Sequence, residues 1–123
     1  KALGENHPDT VAVLSNLAVL YKSQGKFQSA EKLFQKILSI RQNMLGASDP
    51  RVAQSMHHLA IVYQKQGHLT EAEELFKGAL EIREKCFGNT HPEIAISQNN
   101  LANLYKEQKR FDEAEVLFKK AIR

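Results

Sequence analysis

Two adjacent histidines, His57 and His58, stand in the stretch SMHHLAIVYQKQG. Imidazoles can ligate a metal or move protons near neutrality. Helical geometry argues against a metal here. Neighbouring helical residues point about 100° apart, whereas chelating pairs sit at i, i+4, as in His-Glu-x-x-His. Positions 53, 54, 61 and 62 are Ala53, Gln54, Ile61 and Val62, none of them a usual ligand. An acid–base pair needs an orienting partner, and the sequence offers none beside the histidines. Ser23 and Lys26 match Ser-x-x-Lys in form, without the companion motifs of that chemistry. Cys86 ends an apolar helical pattern, where a packed thiol is expected rather than a nucleophile. No Gly-rich phosphate loop, zinc spacing or paired-carboxylate motif occurs in the sequence. No catalytic residue, metal or cofactor is therefore expected, and the chain is read as a non-enzyme.

The elements that position these residues follow from composition and repetition. The 123 residues suit one domain, with 42% hydrophobic and 25% charged residues, as in ordinary globular proteins. Seventeen basic against 14 acidic residues leave a net charge of +3, too small and interspersed to suggest nucleic acid. No apolar run reaches the roughly 18 residues of a membrane span, so no membrane partner is expected. A single cysteine excludes an internal disulfide and fits a reducing, cytoplasmic compartment.

His7-Pro8, Asp49-Pro50 and His91-Pro92 recur at a step of 42 residues. Ten columns are then identical in all three segments without a gap, among them Leu17/Leu59/Leu101, Ala18/Ala60/Ala102, Tyr21/Tyr63/Tyr105, Ala30/Ala72/Ala114 and Phe34/Phe76/Phe118. Such a period marks a repeat array. Repeats are placed at about 8–44, 50–86 and 92–123, with 1–7 as the tail of a preceding one. Each reads as two helices. The prolines suit a first turn, and Asp49 is a good N-cap. Leu14, Leu17, Ala18 and Tyr21 form an i, i+3, i+4, i+7 stripe. Gly25 and Gly67 suit the left-handed end of the first helix, a column where the third repeat has Lys109. The second helix starts near Phe27, Leu69 or Phe111. Glu73–Lys77 is expected as an i, i+4 pair. Arg41/Arg83 and Glu31/Glu73/Glu115 are expected to make inter-repeat salt bridges or amide hydrogen bonds. One helix pair cannot bury its stripe alone, so pairs must stack.

The columns in LAVLY…QGKFQSAEKLF, LAIVYQKQGHLTEAEELF and LANLYKEQKRFDEAEVLF resemble tetratricopeptide repeats (TPRs). The 42-residue spacing is similar to the repeats of kinesin light chain and nephrocystin-3-like proteins. The resemblance implies an all-α fold, a right-handed α-solenoid of stacked antiparallel helix pairs. It also implies that first helices line a concave face and second helices a convex one. The positions free on the first helices then begin with Ser15, Asn16, Val19 and Lys22. The next row is His57, His58, Ile61 and Lys65, and the third Asn99, Asn100, Asn103 and Lys106. These columns vary while the core columns do not, as expected of a surface that reads different parts of one ligand. Cations and amides dominate the rows, and Glu107 is the acid among them. Amides can hold a peptide backbone and lysines can meet carboxylates.

The expected function is thus an adaptor or scaffold that binds a short peptide segment. Kinesin light chain holds acidic, aromatic-containing cargo peptides, and its NNLA segments match Asn99-Asn100-Leu101-Ala102. The histidines are expected to be polar ligand contacts outside the core. They should charge below about pH 6.5 and strengthen binding to acidic peptide. The alternative is a structural spacer or self-associating segment of a larger regulatory protein. Self-association would use uncapped repeat ends, where the last helix exposes a flank of Ala114, Leu117, Phe118 and Ala121.

Overall fold

A computed structural model describes residues 8–88 and 91–122; the expected tail of a preceding repeat, 1–7, lies outside them. Six α-helices and no strand are present among the described residues. They are α1 (Pro8–Ser23), α2 (Phe27–Leu45), α3 (Pro50–Lys65), α4 (Leu69–Phe87), α5 (Pro92–Glu107) and α6 (Phe111–Ala121). Each helix packs on the helices before and after it in the chain, so the pairs stack as an α-solenoid.

The repeated columns explain the boundaries. Asp49 is extended (φ −75°, ψ 139°) and its carboxylate accepts from the Arg51 N–H at 2.8 Å, so α3 starts with a filled cap. At the matching position of α5, His91 Nδ1 accepts from the Glu93 N–H at 3.1 Å. The first helices end in Schellman turns. The N–H of Lys26, His68 and Arg110 each donates to the carbonyl of Tyr21, Tyr63 and Tyr105 at 2.8 Å. The residue that turns left-handed is Gly25 (φ 78°), Gly67 (φ 84°) or Lys109 (φ 63°). Lys109 therefore keeps the geometry without the residue that suits it.

Small residues let the helices approach. Ala18, Ala30, Ala60, Ala72 and Ala102 are wholly buried, with Phe34 and Phe76 filling the space beside them. Tyr63 and Leu75 touch both the core between α1 and α3 and the core between α3 and α6, which makes the two continuous. The ion pair Lys77–Glu73 forms at 2.9 Å, and Glu73 also accepts from Arg110 across the α4–α6 step at 2.8 Å. Of the flank expected to be exposed on α6, Ala114 is instead buried, whereas Leu117, Phe118 and Ala121 are half-buried. Cys86 is a second correction. It is exposed rather than packed, and its thiol faces the Ser48 carbonyl at 3.3 Å. The last turn of α4 carries it past the packed interface, just as Met44 is exposed at the same column of α2.

Candidate functional site

Some of the varying columns of the first helices meet at one cleft. Ser15, Asn16 and Val19 of α1 and Gln54 and His58 of α3 wall a cleft of about 260 Å³. Phe34, Ile37 and Arg41 of α2 contribute to its lining. Lys22, on α1, is half-buried. Burial first, then the charge of Lys65, hold its pKa below the usual lysine range. No ion-pair partner of Lys22 or Lys65 is found among the described residues. Lys65 is exposed.

The histidines are more deeply placed than their alignment with Ser15, Asn16, Asn99 and Asn100 suggests. His58 stacks on Phe34 with ring centroids 5.5 Å apart and planes 12° apart. His57 meets Phe76 edge-on at 5.7 Å, and the two imidazoles are also 5.7 Å apart. Both Nδ1 atoms are buried without a hydrogen-bond partner, while His57 Nε2 lies 3.5 Å from the Asn100 amide nitrogen. An imidazole is longer than a serine or asparagine side chain, so its ring reaches back to the phenylalanine of the second helix. Both rings are half-buried and stay outside the two core clusters, while reaching inward to the phenylalanines.

Burial pushes both histidines down to about 4. For His57 the next causes are Arg83, His58 and Lys22; for His58 they are Lys22, Arg41 and Arg83. The charging expected near pH 6.5 moves accordingly to about 4, and at neutral pH the pair is uncharged. Three cations from three helices converge on it.

The remaining expected residues lie outside this cleft. Ile61 packs against the second core. Asn100 and Asn103 are half-buried, and Asn99 and Lys106 are exposed. Asn99 and Lys106 line a separate, mostly apolar cleft of about 370 Å³ with Phe111, Ala114, Phe118 and Ile122. The Gln64 amide donates to Glu107, which ties α3 to α5 beside Lys65 and Lys106. Of the expected set, Ser15, Asn16, Val19 and His58 line the α1–α3 cleft and Asn99 and Lys106 the α5–α6 cleft, whereas Lys22, His57, Ile61, Lys65, Asn100 and Asn103 line neither. No group of three His, Cys, Asp or Glu among the described residues is placed to hold a metal, and no described helix is long and apolar enough to cross a membrane.

For Arg41 the sequence predicts inter-repeat ties. It makes them, with Nη1 donating to Ser55 Oγ at 2.9 Å, the Arg51 carbonyl at 3.0 Å and Gln54 Oε1 at 3.2 Å. It also lines the α1–α3 cleft. Its i+14 partner, a serine in the same column as Ser97, is legible once the columns are aligned.

Residues 51–123 and 10–51 match family profiles described as tetratricopeptide repeat. Over 48 residues the chain is 38% identical to Protein KINESIN LIGHT CHAIN-RELATED 2 of Arabidopsis thaliana, a match that spans 39% of this chain and 7% of that protein. Among solved structures it is similar to BtubC (BKLC) from P. vanneervenii, with a TM-score of 0.90 and 27% identity over 97% of this chain and 48% of that one. The nearly identical TPR-like repeats of the kinesin light chain type from Podosopora anserina superpose with a TM-score of 0.87 and 30% identity, over 98% of this chain and 57% of that one. The TPR domain of Arabidopsis FLU shares the fold, with a TM-score of 0.78 at 18% identity, over 91% of each chain. The chain spans about half the length of the first two of these structures and a small part of the Arabidopsis kinesin light chain relative.

Proposed function

The chain belongs to the tetratricopeptide repeat family, whose general role is protein–protein interaction and scaffolding, and from that premise we propose that it holds a short peptide segment of acidic and aromatic character along the face of α1, α3 and α5. The kinesin light chain resemblance supports this choice of ligand. The observation that carries it is electrostatic. Beside its apolar residues, the α1–α3 cleft is lined by amides, hydroxyls, an imidazole and a guanidinium, with no carboxylate among the described lining residues. Burial and then the charge of Lys65 lower the Lys22 pKa, so the two lysines sit close enough to repel. An acidic segment relieves that repulsion, and the neutral His58 ring offers it an uncharged wall of the cleft.

Selection from a displayed library of short peptides tests this reading, with Asn99→Ala/Asn103→Ala and Lys22→Ala/Lys65→Ala as controls. Acidic or aromatic sequences should be enriched, and the lysine control should lose the acidic ones. A structural role in stacking is the second reading, favoured by the apolar α5–α6 cleft and the exposed Phe111 and Ile122. Absence of enrichment, together with concentration-dependent sedimentation of the protein, would favour that second reading over the first.

A further inference from the structure

Helices α3 and α5 begin in the same column and fill the same cap with different chemistry. Asp49 offers a carboxylate to the Arg51 N–H at 2.8 Å, whereas His91 offers Nδ1 to the Glu93 N–H at 3.1 Å. Hydrogen bonds from the Arg51 side chain and backbone hold the Asp49 carboxyl below the usual carboxylate range, so it remains an acceptor through mild acid. An imidazole accepts only while one nitrogen is bare. Once charged it carries a proton on both and has no acceptor. At the start of α5 it would then set a donor against the Glu93 N–H and a positive charge on the positive end of the helix dipole. The His91 ring is held in place by Phe87 of α4, with centroids 4.2 Å apart and planes 17° apart. The same cleft holds Arg51 and Gln54 of α3, Arg83 of α4 and Glu93 of α5. The two arginines oppose a charge on His91, and the Glu93 carboxylate favours one. That carboxylate is already set against Arg83, with Nη2 to Oε1 at 3.4 Å. Arg83 is buried and also donates to Ser97 Oγ at 2.7 Å. Glu93 therefore gives its N–H to the cap and its carboxylate to the guanidinium that joins α4 to α5.

We infer that His91 is a proton-operated latch on the α4–α5 joint. Neutral, it closes the first turn of α5 and fixes Glu93 against Arg83. Charged, it releases the Glu93 N–H, and the first turn frays together with its hold on Arg83. Binding the proton costs the folded form a cap, so the latch is closed at alkaline pH and opens as pH falls through the ordinary histidine range, about 6.5. His57 and His58 do not share this window, since burial holds both to about 4. The joint between the second and third helix pairs thus loosens in mild acid, while Asp49 keeps α3 capped at the joint before it. The latch needs no ligand and is independent of the peptide reading.

The test is a pH titration of the whole ¹⁵N-labelled protein between about pH 8 and about pH 5.5, on either side of the ordinary histidine range. Long-range ¹H–¹⁵N correlation reads each imidazole nitrogen. At the alkaline end His91 should carry its proton on Nε2 and leave Nδ1 bare. The Glu93 amide and the Arg83 Nε–H should both move with the His91 titration. Hydrogen-exchange protection of the amides from Ile94 to Gln98 should fall about fivefold in acid, the worth of one cap. The matching amides of α3, Val52 to Met56, should keep theirs. His91→Asp, which installs the residue found at 49, should hold the protection at both ends of the range, and His91→Ala should lack it at both. His68 starts α4 without a side-chain cap bond, so its titration should leave the α4 amides unmoved. A proton on Nδ1 at the alkaline end, or a Glu93 amide indifferent to His91, would overturn the latch. So would a silent Arg83, an equal loss of protection in α3, or a His91→Asp variant that still loses α5 protection in acid.

Discussion

Burial at His57 and His58 penalises the imidazolium, and the surrounding Lys22, Arg41 and Arg83 add to the penalty. The sign of the pH dependence follows. The folded pKa of about 4 lies below the ordinary histidine value of 6.5, so in the window between them the unfolded state binds more protons. The histidines are neutral at no cost above pH 6.5. As pH falls from there through 4 the folded state loses ground. A tenfold difference in proton affinity between the two states is worth about 1.4 kcal/mol, and partial exposure reduces the sum to about 2 kcal/mol for the pair. Urea unfolding should accordingly show lower stability at pH 4.5 than at pH 7. The His57→Asn/His58→Asn variant, which installs the residues found at Asn99 and Asn100, should flatten that part of the profile. An unchanged profile in the variant would assign the acid sensitivity to other groups. The sequence put these side chains on the correct helix. It missed their depth, because column alignment records residue type and not side-chain reach.

Element ends were legible because their chemistry is local. The prolines, the Asp49 cap and the glycines at 25 and 67 all act where the column pattern places them. Lys109 was recognised as the odd member of its column, and it does adopt φ 63°. A lysine bears the steric strain of the left-handed region, and glycine does not. Nothing lies within 4 Å of a Cβ built at Gly67, so the difference at this turn is one of backbone conformation and not of packing. Lys109→Gly should stabilise the α5–α6 turn by about 1 kcal/mol, and Gly67→Ala should destabilise the α3–α4 turn by about the same amount. Thermal melts of the two variants check both signs together. A destabilised Lys109→Gly protein would mean that the lysine side chain makes compensating contacts. The exposure of Cys86 has a related origin. The apolar column continues to the end of α4, but its last turn projects past the neighbour that would cover it.

Across the whole molecule, packing runs from each helix to its sequence neighbours, so stability is a series of joints. The fold class was legible at this scale because a 42-residue period with invariant alanines and phenylalanines permits little else. The division of the candidate face into two clefts was not, since it depends on how far side chains fill the gaps between pairs. The series of joints also makes position matter more than residue type. Phe76 is 1% exposed in the middle pair, and Leu104 is fully buried in the last. Truncating either to alanine should cost about 3 to 5 kcal/mol. The consequences should differ. Phe76→Ala weakens the pair on which both flanks rest, and Tyr63 and Leu75 carry the loss into the first core. Amides of α1–α2 and α5–α6 should then lose hydrogen-exchange protection together. Leu104→Ala weakens the α5–α6 pair, which can open while α1–α4 keep two stacked pairs and their shared core, so protection should fall in α5 and α6 first. Native-state exchange on the two variants separates these cases, and equal loss of protection throughout the protein in both would show that the array unfolds as one unit.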